Sequence, residues 1–272
     1  MNEIPVTFGA ERHLIGTLAL PEGNPPARTA FVLLNAGVVH RIGPHRINVK
    51  LARHLAGLGF ASLRFDLSGQ GDSRVPVSTL DFAQQAVADI RAAMDHLART
   101  ADVHRFVIAG ICSGADNGWN TAQADPRVVG LCMLDGYAYP TPKTRWMRYR
   151  LRARGPILSA VLPWLRRKWA ALRTPKEDMV QAEGGRTPPS REAYARTMQS
   201  LVDRGVEVCV VYTGSMLSVY NYAEQYREAF AGHGFATRVR SEYQPNIDHT
   251  VTPLSAQQRL LGLVGDWART FA

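Results

Sequence analysis

Short apolar runs bounded by turn residues alternate along this chain with stretches in which apolar side chains recur at helical spacing. The runs at 13–21 (HLIGTLALP), 29–37 (TAFVLLNAG), 104–110 (HRFVIAG), 127–135 (RVVGLCMLD), 206–214 (VEVCVVYTG) and 236–243 predict strands, and 61–73 (ASLRFDLSGQGDS) predicts a strand running into a glycine turn. Segment 48–60 places Leu51, Leu55 and Leu58 on one side of a helix; 81–98, a stretch from about Ser113, 222–232 and 255–270 predict further helices. Apolar strands separated by helices predict an α/β fold whose mostly parallel sheet is covered on both faces. In such a sheet ligands bind at the carboxyl ends of the strands.

Composition changes this picture little: with 46% hydrophobic and 20% charged residues, the 272 residues make ordinary single-core material. The N-terminal MNEIPVTFGAERHLIGTL carries an acidic residue and a polar stretch where a signal peptide needs a basic start and an apolar core. No run approaches the roughly 20 apolar residues of a membrane span. The best, Gly155 to Leu165, has 11 residues and is fenced by arginines. Three cysteines, Cys112, Cys132 and Cys209, without C-x-x-C spacing fit a reducing compartment and give no zinc motif. The expectation is a cytoplasmic protein without cofactor or metal.

Charge is distributed unevenly. Residues 141–200 hold 14 Lys or Arg against four acids, net +10, whereas the other 212 residues hold 18 basic and 19 acidic groups, net −1. The whole excess of the +9 chain therefore lies in one segment.

The stretch VIAGICSGADNG (107–118) carries the clearest chemistry. A nucleophile elbow is a tight strand–turn–helix whose central residue has strained backbone angles, so the residues two before and two after it must be small. Centred on Cys112, those positions are Gly110 and Gly114; centred on Ser113, they are Ile111 and Ala115, and a β-branched isoleucine is hard to fit. Cys112 is the candidate nucleophile, at a helix N-terminus whose dipole favours the thiolate. Cys132 and Cys209, inside strands, read as structural thiols.

On these residues the chain resembles the α/β-hydrolase superfamily along nearly its whole length. GICSG is similar to the cysteine-centred variant of dienelactone hydrolases and polyhydroxyalkanoate synthases, and LLNAGVVHRIGPHR with LRFDLSGQGDS resembles the small hydrolases associated with exosortase gene clusters. The resemblance implies a cysteine–histidine–acid triad, an oxyanion hole of backbone N–H groups, and an inserted lid. His249, in the loop QPNIDHTVTP before the last helix, stands where the superfamily has its base. His13, His54, His96, His104 and His233 read as surface residues remote from it. The loop TGSMLSVYN after strand 206–214, where most members carry the acid, has no carboxylate. Asp135, Asp116 and Asp248 remain as substitutes, and Asp135, which ends strand 127–134, is the choice. The oxyanion donors implied are the backbone N–H groups of Ser113 and, in NAGVV, Gly37. His40, Arg41, His45 and Arg46 crowd the next turn and are candidates for contact with an anionic or polyhydroxylated substrate. The turn GQGDS lacks the lysine of a phosphate loop and reads as structural.

The resemblance divides the chain into a core, 1–136 and 199–272, and a basic helical lid, 137–198. In the lid RWMRYRLRARGPILSAVLPWLRRKWAALR mixes arginines with Trp146, Trp164 and other apolar residues, giving amphipathic helices broken near Pro156 and Pro163. Trp146 and Trp164 are candidates for substrate contact. The basic face either is simply solvated, receives an acyl carrier protein or coenzyme A, or rests peripherally on an anionic membrane; nucleic acid is not expected. The expected function is acyl processing through an acyl-enzyme thioester on Cys112: ester or thioester hydrolysis, or acyl transfer. The alternative is a non-catalytic binding module on a hydrolase scaffold.

Overall fold

The computed structural model describes residues 1–22, 27–153 and 187–272. Its sheet has eight strands: β1 (Asn2–Phe8), β2 (Leu14–Leu20), β3 (Thr29–Leu34), β4 (Ser62–Phe65), β5 (Arg105–Ile111), β6 (Val128–Leu134), β7 (Glu207–Thr213) and β8 (Arg240–Gln244). They lie in the order β1-β2-β4-β3-β5-β6-β7-β8. β1 pairs antiparallel with β2, and β2 with β4; every pairing from β4 to β8 is parallel. The helices are α1 (Ile47–Gly57), α2 (Phe82–Ala101), α3 (Ser113–Ala124), α4 (Pro142–Ala153), α5 (Arg191–Asp203), the short α6 (Gln225–Ala229) and α7 (Leu254–Ala268).

The apolar runs are explained by burial on two sides. In β3, Ala30, Val32 and Leu34 join a core with Ile90 and Met94 of α2, Trp119 of α3 and Tyr194 of α5, while Phe31 and Leu33 face Leu51 and Leu55 of α1 and Leu260 and Trp267 of α7. A strand covered on both faces has no solvent side and shows no polar alternation. The start of α2 is fixed by a capping box, with Asp81 accepting from the Gln84 N–H at 2.8 Å and the Gln84 side chain accepting from the Asp81 N–H at 3.3 Å.

One strand was not foreseen, and three expectations change. The N-terminal stretch, which lacks a signal-peptide pattern, forms edge strand β1, whose Pro5 is tolerated there because an edge has an unpaired side. His13, expected at the surface, is 6% exposed, with Nε2 3.7 Å from Asp89. The helix expected over 222–232 shrinks to α6, because the chain before it is held by Tyr222 bonded to Thr141 and by the Asn221 N–H donated to Gln225, and the chain after it turns with the His233 N–H donated to the Phe230 carbonyl. The last strand begins at Arg240 and not 236, because a 3₁₀ turn over Gly234–Thr237 drives Phe235 into the core first.

Of the basic segment, α4 and α5 are described; Trp164 and the breaks near Pro156 and Pro163 lie outside the described residues. The boundary expected at 198 falls within α5, whose Tyr194, Ala195, Met198, Leu201 and Val202 are buried in the core. No helix among the described residues is long and apolar enough to cross a membrane.

Candidate active site

Cys112 is the turn between β5 and α3, with φ 55° and ψ −119°, a strained conformation for a residue with a side chain. The flanking glycines have steric reasons. A Cβ on Gly110 would run into the backbone of Gly114, and a Cβ on Gly114 would come within 2.5 Å of the Asn35 carbonyl oxygen. The glycines thus allow α3 to fold back against both β5 and the end of β3.

His249 lies between β8 and α7. Its Nδ1 is 2.7 Å from Asp135 Oδ2, and its backbone N–H donates to Ser215 Oγ at 2.9 Å. The side chain is pushed up to about 10, first by the hydrogen bond to Asp135 and then by one to Cys112, against burial, which acts in the opposite sense. Imidazolium is therefore the favoured form at neutral pH.

Asp135 follows β6 with φ 51° and is fully buried. Its backbone N–H donates to Val211, and its carboxylate accepts from the Thr213 N–H on Oδ1 and the Thr213 hydroxyl on Oδ2, both at 2.8 Å. Thr213 ends β7, the strand after which the sequence has no acid. The two strand ends act as a unit, β6 supplying the carboxylate and β7 the two donors that hold it. Thr213 and Ser215 are not legible in the sequence as site residues, because a threonine or serine at a strand end carries no signal until its partner is known.

The other two carboxylates act on other groups. Asp116, buried in α3, exerts its charge on Tyr139 and Tyr194, two rings whose centroids lie 5.1 Å apart. Asp248 accepts from the Thr252 N–H at 2.6 Å and is held below the usual carboxylate range by Thr252.

The loop after β3 is clamped. Asn35 donates from Nδ2 to the His40 carbonyl and accepts on Oδ1 from Asn48, each at 2.5 Å. At Gly37, φ 51° turns the chain, and the Gly37 N–H donates to Ser113 Oγ at 2.6 Å. The Gly37 N–H, expected as an oxyanion donor, is thus already taken by Ser113, because that hydroxyl stands between the Gly37 turn and the start of α3.

His40 and Arg41, expected to meet substrate, bind protein carboxylates. The Arg41 guanidinium lies 2.5 Å from Asp66 and 2.7 Å from Asp72, and His40 Nε2 is 3.3 Å from Asp72. Asp66 is buried, and the GQGDS turn wraps it so closely that a Cβ on Gly71 would come within 2.5 Å of the carboxylate. His40, Asp66 and Asp72 offer three ligand atoms within 4.8 Å of one another, but the guanidinium already supplies the cation. The cluster braces the Gly37 loop against the loop after β4. His45 and Arg46 are exposed, both with left-handed backbone, and the His45 charge acts on Asp248. Trp146, on α4, is 56% exposed.

A mostly parallel sheet with a sharp strand–helix turn at its centre and a histidine–carboxylate pair in the loops at its carboxyl edge defines an α/β-hydrolase. The chain belongs to the alpha/beta hydrolase family, whose profile matches residues 31–266. Its sequence matches no curated protein significantly. In fold it is similar to the serine hydrolase XC6422 from Xanthomonas campestris, described as lacking a lid (TM-score 0.57, 15% identity, covering 100% of this chain and 95% of that one). It is also similar to a dienelactone hydrolase from Anabaena variabilis (TM-score 0.58, 17% identity, 99% and 97%) and to a proline iminopeptidase from Mycobacterium smegmatis (TM-score 0.59, 19% identity, 99% and 98%).

Proposed function

We propose that this chain is a cysteine-dependent acyl hydrolase acting on activated esters or thioesters, with Cys112 as nucleophile, His249 as proton carrier and Asp135 as its orienting acid. The observation that carries the reading is the geometry around Cys112, at a strained elbow that only Gly110 and Gly114 permit, beside His249, whose Nδ1 is 2.7 Å from buried Asp135; the raised imidazolium agrees with it. A histidine already protonated at neutral pH is a poor base for a serine hydroxyl but the right counter-ion for a thiolate.

The chemistry follows from that pair. The Cys112 sulfur attacks the acyl carbon and the carbonyl becomes an oxyanion, met by the N–H at the start of α3 and by the Ser113 hydroxyl, whose oxygen accepts from the Gly37 N–H. As the oxyanion collapses, the bond to the leaving group breaks and the His249 imidazolium gives its proton to the departing oxygen or sulfur. The product at this stage is a Cys112 thioester. Neutral His249 then takes a proton from water, whose oxygen attacks the thioester; collapse releases the acid and restores the thiolate–imidazolium pair. An alcohol, amine or thiol in place of that water would make the same site a transferase.

Intact mass after addition of a p-nitrophenyl ester tests this reading. One acyl adduct is expected on the wild type and on Cys132→Ala, and none on Cys112→Ala. Cys112→Ser, although it restores the commoner serine pattern, is expected to be far less active. An adduct that survives Cys112→Ala would assign the nucleophile elsewhere; no adduct with any activated donor would make the chain a binding module on a hydrolase scaffold.

A further inference from the structure

Among the described residues, the exposed large apolar side chains lie almost entirely at one end of the sheet. Strands β3 to β8 run parallel, so the segments following each emerge at the same edge of the sheet as Cys112. Of the 12 exposed large apolar side chains among the described residues, all but Met1 lie in those segments or in the helices they lead into. Val38 follows Gly37, Val75 and Val77 follow the Asp66 turn, Leu217 follows β7 and Leu254 opens α7; Val77 is 93% exposed and Val38 81%. Such residues, on separate loops, make a rim and not a groove.

Helix α4 joins this rim directly after the Asp135 loop. Its sequence, PKTRWMRYRLRA, has five basic residues and no acid. Its inner side is fixed: buried Thr141 and Thr144 bond each other at 3.1 Å, Thr141 bonds the Tyr222 hydroxyl at 2.6 Å, and Asn221 donates to the Thr144 carbonyl at 3.1 Å. With Thr144 facing in, Arg145, Trp146, Tyr149 and Arg150 are presented to solvent. The Arg150 guanidinium lies over the Trp146 ring, 4.6 Å from its centroid, leaving the aromatic and the cation on the same outward patch.

Tryptophan and tyrosine flanked by arginine are the side chains that settle at the boundary between lipid headgroups and acyl chains. The charge is complementary to an anionic surface on a larger scale too, since residues 141–200 carry a net +10 and the rest of the chain −1. We propose that this end of the molecule docks on an anionic phospholipid bilayer, with Trp146 and Tyr149 at the headgroup level and the valine-bearing loops against the surface. The site edge containing Cys112 then faces the membrane. The inference stands on the surface alone and is independent of the chemistry assigned to Cys112.

Co-sedimentation of the full chain with extruded vesicles tests it, using phosphatidylcholine alone and phosphatidylcholine mixed with phosphatidylglycerol. Binding is expected to the mixed vesicles and not to the neutral ones. Arg145→Gln and Arg150→Gln should each weaken it about fivefold, the share of one basic residue near an anionic surface. Brominated lipid should quench part of the tryptophan fluorescence in the wild type, and that part should vanish in Trp146→Phe. All three variants alter outward side chains, and an unchanged melting temperature establishes that they are folded. Absence of binding to mixed vesicles overturns the proposal. So does binding that survives both arginine substitutions or that leaves Trp146 unquenched, and so does salt-sensitive capture by an acidic carrier protein without vesicle binding.

Discussion

At the scale of single residues, the site depends on which proton is held where. The largest influence raising His249 is its hydrogen bond to Asp135. Because its folded value of about 10 lies above its unfolded value, the protonated form is stabilised: the effect is complete below about 6.5 and is lost as pH rises through about 10. On the proposed mechanism acylation uses the imidazolium as proton donor, and its rate should fall on that alkaline limb. In Asp135→Asn the limb should move toward neutral pH, with a rate loss on the order of a hundredfold at pH 8. A pH–rate profile from stopped-flow release of nitrophenol checks both, and an alkaline limb unmoved by Asp135→Asn would remove Asp135 from the triad. Ser113 bears a second prediction. Its Oγ accepts from the Gly37 N–H at 2.6 Å, which fixes that loop and leaves the hydroxyl proton free to meet an oxyanion. Ser113→Ala should lower kcat/KM by up to about a hundredfold, the range of one oxyanion donor. A faster enzyme would mean instead that the hydroxyl obstructs the hole.

At the scale of elements, the elbow is a packing problem solved by absent side chains. Gly114→Ala would press a methyl to within 2.5 Å of the Asn35 carbonyl, and backbone on both sides leaves no flexible group to move. A loss of about 1–3 kcal/mol is expected from overpacking of this kind, together with loss of activity. Gly262 offers the contrast. It is exposed within α7, and a Cβ there would meet nothing within 4 Å, so Gly262→Ala should stabilise the chain by roughly 0.5–1 kcal/mol at unchanged activity. Urea unfolding of the pair measures both signs, and equal effects would show that neither position feels its surroundings.

For the whole molecule the decisive property is polarity of charge. One segment holds all the net excess, and its first helix, α4, emerges beside Asp135 at the sheet edge that carries Cys112. Anionic donors such as a coenzyme A thioester should therefore be drawn toward that edge, and the attraction should fade as the screening length drops from about 30 Å at 0.01 M salt to about 10 Å at 0.1 M. KM for such a donor is expected to rise over that range while KM for a neutral ester stays level. Parallel curves for the two donors would limit the basic residues to solvation.

The local pattern of the sequence was enough to specify the parallel strands, since a strand buried on both faces must be apolar throughout. It was enough to place the elbow too, since of Cys112 and Ser113 only the cysteine has a glycine two positions away on either side. It also singled out the loop histidine, His249. It missed β1, where alternation in an edge strand is weak, and it misjudged His13, which the fold buries beside an aspartate 76 positions away. The partners of Asp135 could not be read at all. His249 and Thr213 reach it across separations of 114 and 78 residues, and only the parallel alignment of β6 with β7 brings those ends together. The same holds for Arg41: its charge was visible, but whether it met substrate or Asp66 and Asp72 depended on where the GQGDS turn folds. Short-range chemistry and periodicity are written along the chain, whereas the direction a charged side chain takes is settled by which distant groups the fold has already placed within hydrogen-bonding reach.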